Sequence, residues 1–296
     1  MIRLALRVHR AHAELVLAEL LELAPAGVEE ASDGELVEYA VYGAPGELPS
    51  LPNLRAAAGD AFVEISTREL PDDWQQAWRR FHRPVLINAP RALTAPARRV
   101  PELRIRPPWE PASPPSPTRE EIVIEPGQAF GTGAHASTRL CLELLLSLAL
   151  HERRGPLLDI GTGSGVLAIA AARLGFAPVF AVDHERESIA AARHNAALNG
   201  VQLTLQRLDL RMQALPGLCA RDAERSEGIV ATANLLAPLL LELPRALPSA
   251  PAHLIAGGLL AEQLQAVSSA IAAQLGMRER ERRSSGVWAA VWLSLN

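Results

Sequence analysis

The stretch from Pro156 to Asp183, PLLDIGTGSGVLAIAAARLGFAPVFAVD, decides how the rest of the chain is read. Leu157, Leu158, Asp159 and Ile160 form a short apolar run, the pattern of a strand buried on both faces. Gly161-Thr162-Gly163-Ser164-Gly165 follows as a turn. Val166 to Leu174 is apolar nearly throughout and stops at Gly175, as a buried helix with a glycine cap does. Val179 to Val182 reads as a second strand, with Asp183 at its carboxyl end. Strand, glycine turn, helix and strand make half of a doubly wound α/β sheet, a fold that binds its ligand at the strand ends.

The spacing of the glycines selects the ligand. A dinucleotide fingerprint, G-x-G-x-x-G, brings a pyrophosphate onto the helix N-terminus. Here the order is Asp-x-Gly-x-Gly-x-Gly, with Asp159 two residues before the first glycine and valine, not glycine, at 166. That order resembles the first motif of class I methyltransferases that use S-adenosylmethionine. Gly161 and Gly163 let backbone approach a cofactor closely because no Cβ intervenes. A carboxylate at Asp159 suits an ammonium and a sulfonium better than a phosphate. Asp183, eighteen residues beyond Gly165, stands where an acid hydrogen-bonds ribose hydroxyls. The bland alternative is a glycine turn that only tightens a strand–helix junction.

Composition bounds the reading. At 296 residues the chain has room for two domains, and its 49% hydrophobic content includes no apolar run of membrane length. The opening MIRLALRVHR carries arginines inside its apolar run and lacks a signal-peptide plan. Cys141 and Cys219 make no disulfide framework or metal spacing. A soluble cytoplasmic protein without a metal is the expectation. Charge is uneven: residues 1–70 hold twelve acids against five arginines, whereas residues 71–119 hold four acids against nine arginines. An acidic front segment is poorly suited to nucleic acid. It suits a basic protein partner, although an acidic surface kept for solubility accounts for it equally well.

Residues 1–70 follow the order βαββαβ, a ferredoxin-like α+β plan. Ile2 to Val8 alternates as a strand. His12 to Ala24 carries Val16, Leu17 and Leu20 at helical spacing. Val28 to Ala31 and Leu36 to Tyr42 flank Asp33-Gly34, a hairpin signal. A short helix near Leu54 to Ala58 and a strand from Ala61 to Ser66 complete the set. Residues 71–119 read as a connection. Pro71 to His82 is expected to be a helix bearing Trp74 and Trp78, whose better reading is packing between domains. Val85 to Arg106 is expected to be irregular or weakly stranded. Pro107 to Pro117, with six prolines, reads as a stiff linker and a domain boundary.

Residues 120–296 form the expected catalytic domain. Glu121 to Ile124 is its first strand, and Gly131-Thr132-Gly133 makes a second glycine turn. The following helix holds Thr138 in its first turn, where a hydroxyl caps the helix or reaches a ligand. The second turn reads as a lid over a cofactor, with Phe130 as an aromatic wall attractive to a sulfonium. His135 reads as structural rather than as a base. Further strands are expected at Leu203 to Gln206, Ile229 to Ala233 and Leu254 to Ala256. Asp209 follows the first of these, where the fold commonly contacts adenine; a surface turn is the equal alternative. A terminal hairpin around Ser285-Gly286 would close a methyltransferase sheet and is absent from a plain dinucleotide fold.

Together, Phe130-Gly131-Thr132-Gly133 with His135 and Thr138, the motif at 159–165, Asp183, and ATANLLAPLL at 231–240 resemble the PrmA family. Members of that family methylate the large-subunit ribosomal protein L11. The resemblance covers nearly the whole chain and departs from the family pattern at Ala134, Ala136 and Gly228. It implies a class I methyltransferase with a doubly wound, mostly parallel seven-stranded sheet, and a front domain that holds the substrate. It also implies that Thr138, Gly161, Asp183 and Asn234 bind S-adenosylmethionine. The residue reading adds Phe130, Thr132, Gly133, Asp159, Gly163 and Asp209 to that set. Asn234, at the end of the fourth strand, would also position the accepting amine. The expected activity is therefore N-methylation of lysine or N-terminal amino groups. The alternatives are a methyltransferase of the same fold with another amine substrate, a nicotinamide-dependent oxidoreductase, and a non-catalytic binding module.

Overall fold

A computed structural model describes residues 2–23, 28–43, 54–55, 58–69, 82–88, 102–126, 133–152, 154–213, 215 and 228–295. The chain divides into two compact units, one within residues 1–82 and one comprising Arg83–Pro126 and Gly131–Asn296.

The first unit is a four-stranded antiparallel sheet. Its strands are β1 (Ile2–His9), β2 (Glu29–Asp33), β3 (Leu36–Gly43) and β4 (Phe62–Glu69), in the order β2-β3-β1-β4. That order is the ferredoxin-like one. Helix α1 (Ala13–Leu23) buries Val16, Leu17 and Leu20 against Leu4, Leu6, Val8, Val37 and Tyr39 of the sheet. The Tyr39 hydroxyl donates to the Ala13 carbonyl at 2.8 Å and fixes the start of the helix. The hairpin loop is Gly34-Glu35, one residue later than expected, with Gly34 at φ +59°. Of the short helix expected near Leu54 to Ala58, only Leu54, Arg55 and Ala58 are described, and all three are helical. The helix expected at 71–82, with Trp74 and Trp78, lies outside the described residues except at His82.

The second unit opens with a three-stranded sheet made of β5 (Val85–Asn88), β6 (Glu102–Arg106) and β7 (Arg119–Val123). This corrects the expected linker at 71–119. Its later part belongs to the unit that holds the large sheet, and Pro107 to Pro117 is a crossover between two parallel strands. The physical reason is a short alternation inside an arginine- and proline-rich stretch. Leu103 and Ile105 are buried while Glu102, Arg104 and Arg106 face outward. Glu121 of β7 collects the outward charges: Arg104 and Arg106 each approach it at 2.7 Å, and the Ser113 amide donates to it at 2.9 Å. Burial alone would raise Glu121, but the Ser113 amide and the two guanidiniums outweigh it and hold the carboxyl at about 2. The proline-rich crossover is thus fastened at Ser113, and at Pro111, whose carbonyl accepts from Arg104.

The large sheet has seven strands: β8 (Leu157–Ile160), β9 (Val179–Asp183), β10 (Thr204–Arg207), β11 (Val230–Asn234), β12 (His253–Leu260), β13 (Arg278–Ser285) and β14 (Trp288–Ser294). Their order is β10-β9-β8-β11-β12-β14-β13. The first five run parallel, and β14 is antiparallel to both neighbours. This is the doubly wound, mostly parallel sheet closed by a terminal hairpin that the glycine motif and the chain end led us to expect. All four residues of β8 and all seven of β14 are buried, as the apolar runs require. Helices α2 (Ala136–His151), α3 (Val166–Arg173), α4 (Arg186–Leu198), α5 (Ala237–Ala246) and α6 (Ala261–Leu275) connect the strands. Among the described residues, no helix is long and apolar enough to cross a membrane.

Candidate active site

Parallel pairing brings the carboxyl ends of five strands into one row. Ile160 lies beside Val182 and Ala233, Asn234 beside Gly257, and Asp183 beside Arg207. The residues that follow these positions form the site.

The glycine turn is tied to the next strand by its backbone. Gly161 and Thr162 both donate to the Val182 carbonyl, at 2.9 and 3.0 Å. Gly161, Gly163 and Gly165 all have φ between +52° and +85°, a region that favours residues without a Cβ. Asp183 is 7% exposed and holds the turn from the neighbouring strand. Its Oδ2 accepts from the Gly163 amide at 2.9 Å, and its Oδ1 accepts from the Glu185 amide at 3.0 Å. The carboxylate is therefore fixed beside Gly163, at the end of β9.

Asp159 braces the glycine turn from within. It is fully buried, Oδ2 accepts from the Thr162 hydroxyl and Oδ1 from the Thr232 hydroxyl, both at 2.7 Å. Through these two bonds the carboxyl braces the turn against β11. Burial raises its pKa to about 6 despite the two hydroxyl donors. A carboxyl raised in the fold binds its proton more tightly there than in the unfolded chain, so its contribution to stability falls as pH rises between the unfolded and folded values. Asp159→Asn should flatten the pH dependence of the unfolding free energy between about pH 4 and about pH 6, by on the order of 2–3 kcal/mol. The threonine hydroxyls can turn to accept from the new amide. An unchanged slope would contradict this account of the brace.

Opposite the glycine turn, Asn234 ends β11 and donates through Nδ2 to the Thr138 hydroxyl at 3.2 Å. Thr138 is 1% exposed in the first turn of α2. Asn234 Oδ1 is buried and finds no hydrogen-bond donor among the described residues. Such an acceptor is costly to bury unless a ligand satisfies it. Space around it comes from Gly257-Gly258: a Cβ on Gly258 would sit 2.5 Å from the Leu235 carbonyl oxygen and 3.1 Å from Asn234 Oδ1. A Cβ on Gly257 would sit 2.3 Å from Cys141 Sγ. This glycine pair is a part of the site that the motif reading missed.

Gly133, at φ +85°, packs directly on Ile105 of β6, where a Cβ would come within 2.9 Å. Phe130 and Thr132 lie outside the described residues. Asp209 follows β10, next to the backbone bond from Leu208 to the Asp183 carbonyl. Arg211 forks onto it through Nε and Nη2 at 3.0 and 2.8 Å, which lowers its pKa to about 2. His135 caps α2, its Nδ1 accepting from the Ser137 amide, and meets the Trp288 ring edge-on at 4.7 Å. Burial lowers His135 to about 4, so it is neutral near pH 7. Among the described residues, no cluster of His, Cys, Asp and Glu could hold a metal ion.

The comparisons with known proteins fit this geometry. A family model described as ribosomal protein L11 methyltransferase (PrmA) matches residues 59–295. The chain belongs to the PrmA family. A ribosomal protein L11 methyltransferase of Geobacter sulfurreducens is 38% identical over 213 residues, 70% of this chain and 62% of that protein. One from Sorangium cellulosum is 34% identical over 254 residues, 82% of this chain and 74% of that protein. A crystal structure of ribosomal protein L11 methylase from Lactobacillus delbrueckii subsp. bulgaricus superposes with a TM-score of 0.54 at 31% identity, covering 71% of this chain and 98% of that one. The matched region spans somewhat less than two thirds of the first curated PrmA relatives, between 62% and 66% of their length.

Proposed function

We propose that this PrmA-family chain is an S-adenosylmethionine-dependent N-methyltransferase acting on lysine or N-terminal amino groups of ribosomal protein L11 in the cytoplasm. The observation that carries the reading is the unsatisfied Oδ1 of Asn234, buried beside Thr138 at the end of β11. The relatives named as L11 methyltransferases support the substrate. The net charge of residues 1–70, with more than twice as many acids as arginines, suits a basic protein.

The residues present fit the cofactor. The positive-φ glycines keep Cβ atoms out of the turn at 161–165, and the carboxylate of Asp183, fixed beside Gly163, would accept from ribose hydroxyls. Thr138 and Asn234 would hold its other end. Bound S-adenosylmethionine supplies a methyl group on a sulfonium, open to attack by a nitrogen lone pair. Asn234 Oδ1 would accept an N–H of the substrate amine, which aims the lone pair and orders the amine. Complete alignment of two reactants can supply roughly 7–11 kcal/mol, of which this bond is one part. A lysine with a pKa of about 10.4 must first lose its proton, and desolvation in the pocket lowers that value. Neither Asp159, bonded to two threonines, nor His135, engaged as a helix cap, is placed as a base.

The test is incubation with labelled S-adenosylmethionine and purified ribosomal protein L11, read by intact mass. Gains in single methylene steps are expected. Cofactor binding without any gain would remove L11 as the substrate.

A further inference from the structure

Two asparagines lie one turn apart, Asn195 in helix α4 and Asn199 capping its C-terminus, and neither faces away from the unit. Asn195 is 1% exposed. Its Nδ2 donates to the Ser164 carbonyl in the glycine turn at 2.8 Å, and its Oδ1 accepts from the Glu125 amide at 2.9 Å. Asn199 bonds Val123 of β7 and, through Nδ2, also the Asn195 carbonyl at 2.7 Å, and makes no bond to the turn. It accepts from the Val123 amide at 2.8 Å and donates to the Val123 carbonyl at 2.6 Å, as a pairing strand would. The same helix abuts the turn at Gly165, where a Cβ would lie 3.1 Å from both the Cα and the Cβ of Ala192. Glu125 follows β7, whose partner β6 supplies Ile105 to the packing of Gly133.

We propose that Asn195 is a positioning residue for cofactor binding. Its amide locks the Ser164 carbonyl of the glycine turn to the end of β7, and so sets the spacing between the turn and the three-stranded sheet. This rests on the reading of the turn as the S-adenosylmethionine site. A buried amide with both ends engaged is a demanding feature, because removing either partner leaves a polar group unpaired. Packing alone would be met by an aliphatic side chain at this position. The asparagine instead matches one carbonyl and one amide on two separate segments. Asn199, by contrast, fastens β7 without touching the turn, which makes it the natural control.

Asn195→Asp keeps the acceptor for Glu125 but puts an oxygen against the Ser164 carbonyl. Asn199→Asp makes the same exchange against Val123. Thermal unfolding, S-adenosylmethionine affinity by calorimetry, and kcat with KM for the cofactor are measured for both and for the unaltered protein. The expected result is a rise of about tenfold in Kd and KM for Asn195→Asp, with a smaller change in kcat. Asn199→Asp should lower the unfolding temperature while its KM stays within about twofold of the unaltered protein. Should Asn195→Asp not fold, Asn195→Ser is read in the same titration, with the same direction expected. Equal KM in the Asn195 variant and the unaltered protein, or equal KM changes in the Asn195 and Asn199 variants, would overturn the proposal. If the unaltered protein itself does not bind S-adenosylmethionine, the reading of the turn fails instead.

Discussion

Asn234→Ala is expected to lower methyl transfer by about 100-fold or more while leaving S-adenosylmethionine affinity within about tenfold. The reasoning begins with the backbone. Asn234 ends a strand whose neighbours on both sides are buried, and its amide is held by the Thr138 hydroxyl at 3.2 Å. That bond fixes which way the side chain faces and leaves Oδ1 as the unsatisfied atom. Alanine removes the acceptor for the amine and also frees Thr138 from its partner. The first loss falls on alignment of the nucleophile, which is felt in kcat. The second falls on one contact at the edge of the cofactor site. A single-turnover assay with pre-bound cofactor separates the two. Transfer at an unchanged rate would mean that the amine is aimed by another group.

Asp183→Asn should weaken cofactor binding by between about tenfold and about 100-fold. The carboxylate accepts two backbone amides through separate oxygens, one from Gly163 and one from Glu185. A carboxamide has a single oxygen, so one of these N–H groups would face an NH2. Hydrogen bonds to a charged acceptor contribute about 1.5–3 kcal/mol each. Losing one loosens Gly163, the middle glycine of the turn, at the point where the backbone must approach the ligand. The fold should survive, because Gly161 and Thr162 keep their own bonds to Val182. Calorimetric titration checks the effect, and a Kd within about twofold of the unaltered protein would contradict it.

These two residues also mark what a sequence makes legible. The motif at 159–165, the acid at 183 and the asparagine at 234 are local patterns, and local patterns locate strand ends. The doubly wound, mostly parallel character of the large sheet was legible because parallel strands joined by helices have few topologies, and the terminal hairpin adds its antiparallel strand. What could not be read was which way a side chain turns. Asp159 faces Thr162, three residues away, but also Thr232, whose approach depends on β8 lying against β11. Pairing across that distance has no local signature. The three-stranded sheet was obscured for a different reason. β5 and β6 are four and five residues long and sit among prolines and arginines, so the alternation of Leu103 and Ile105 was too short to outweigh composition. Asn195 and Asn199 carried a faint signal, two asparagines four apart at the end of a helix, but their partners at Ser164, Glu125 and Val123 emerge only from the packing. Gly257-Gly258 was visible as a doublet, and its purpose became clear only with Asn234 beside it.

The central claim is that the glycine turn, Asp183 and Asn234 form an S-adenosylmethionine site and not a dinucleotide site. Calorimetric titration of the full chain with S-adenosylmethionine, and separately with NAD and NADP, tests it most directly. Saturable binding of S-adenosylmethionine, competed by S-adenosylhomocysteine, with no heat from either dinucleotide, is the expected result. Absence of S-adenosylmethionine binding, or saturable binding of a nicotinamide dinucleotide in its place, would contradict the account.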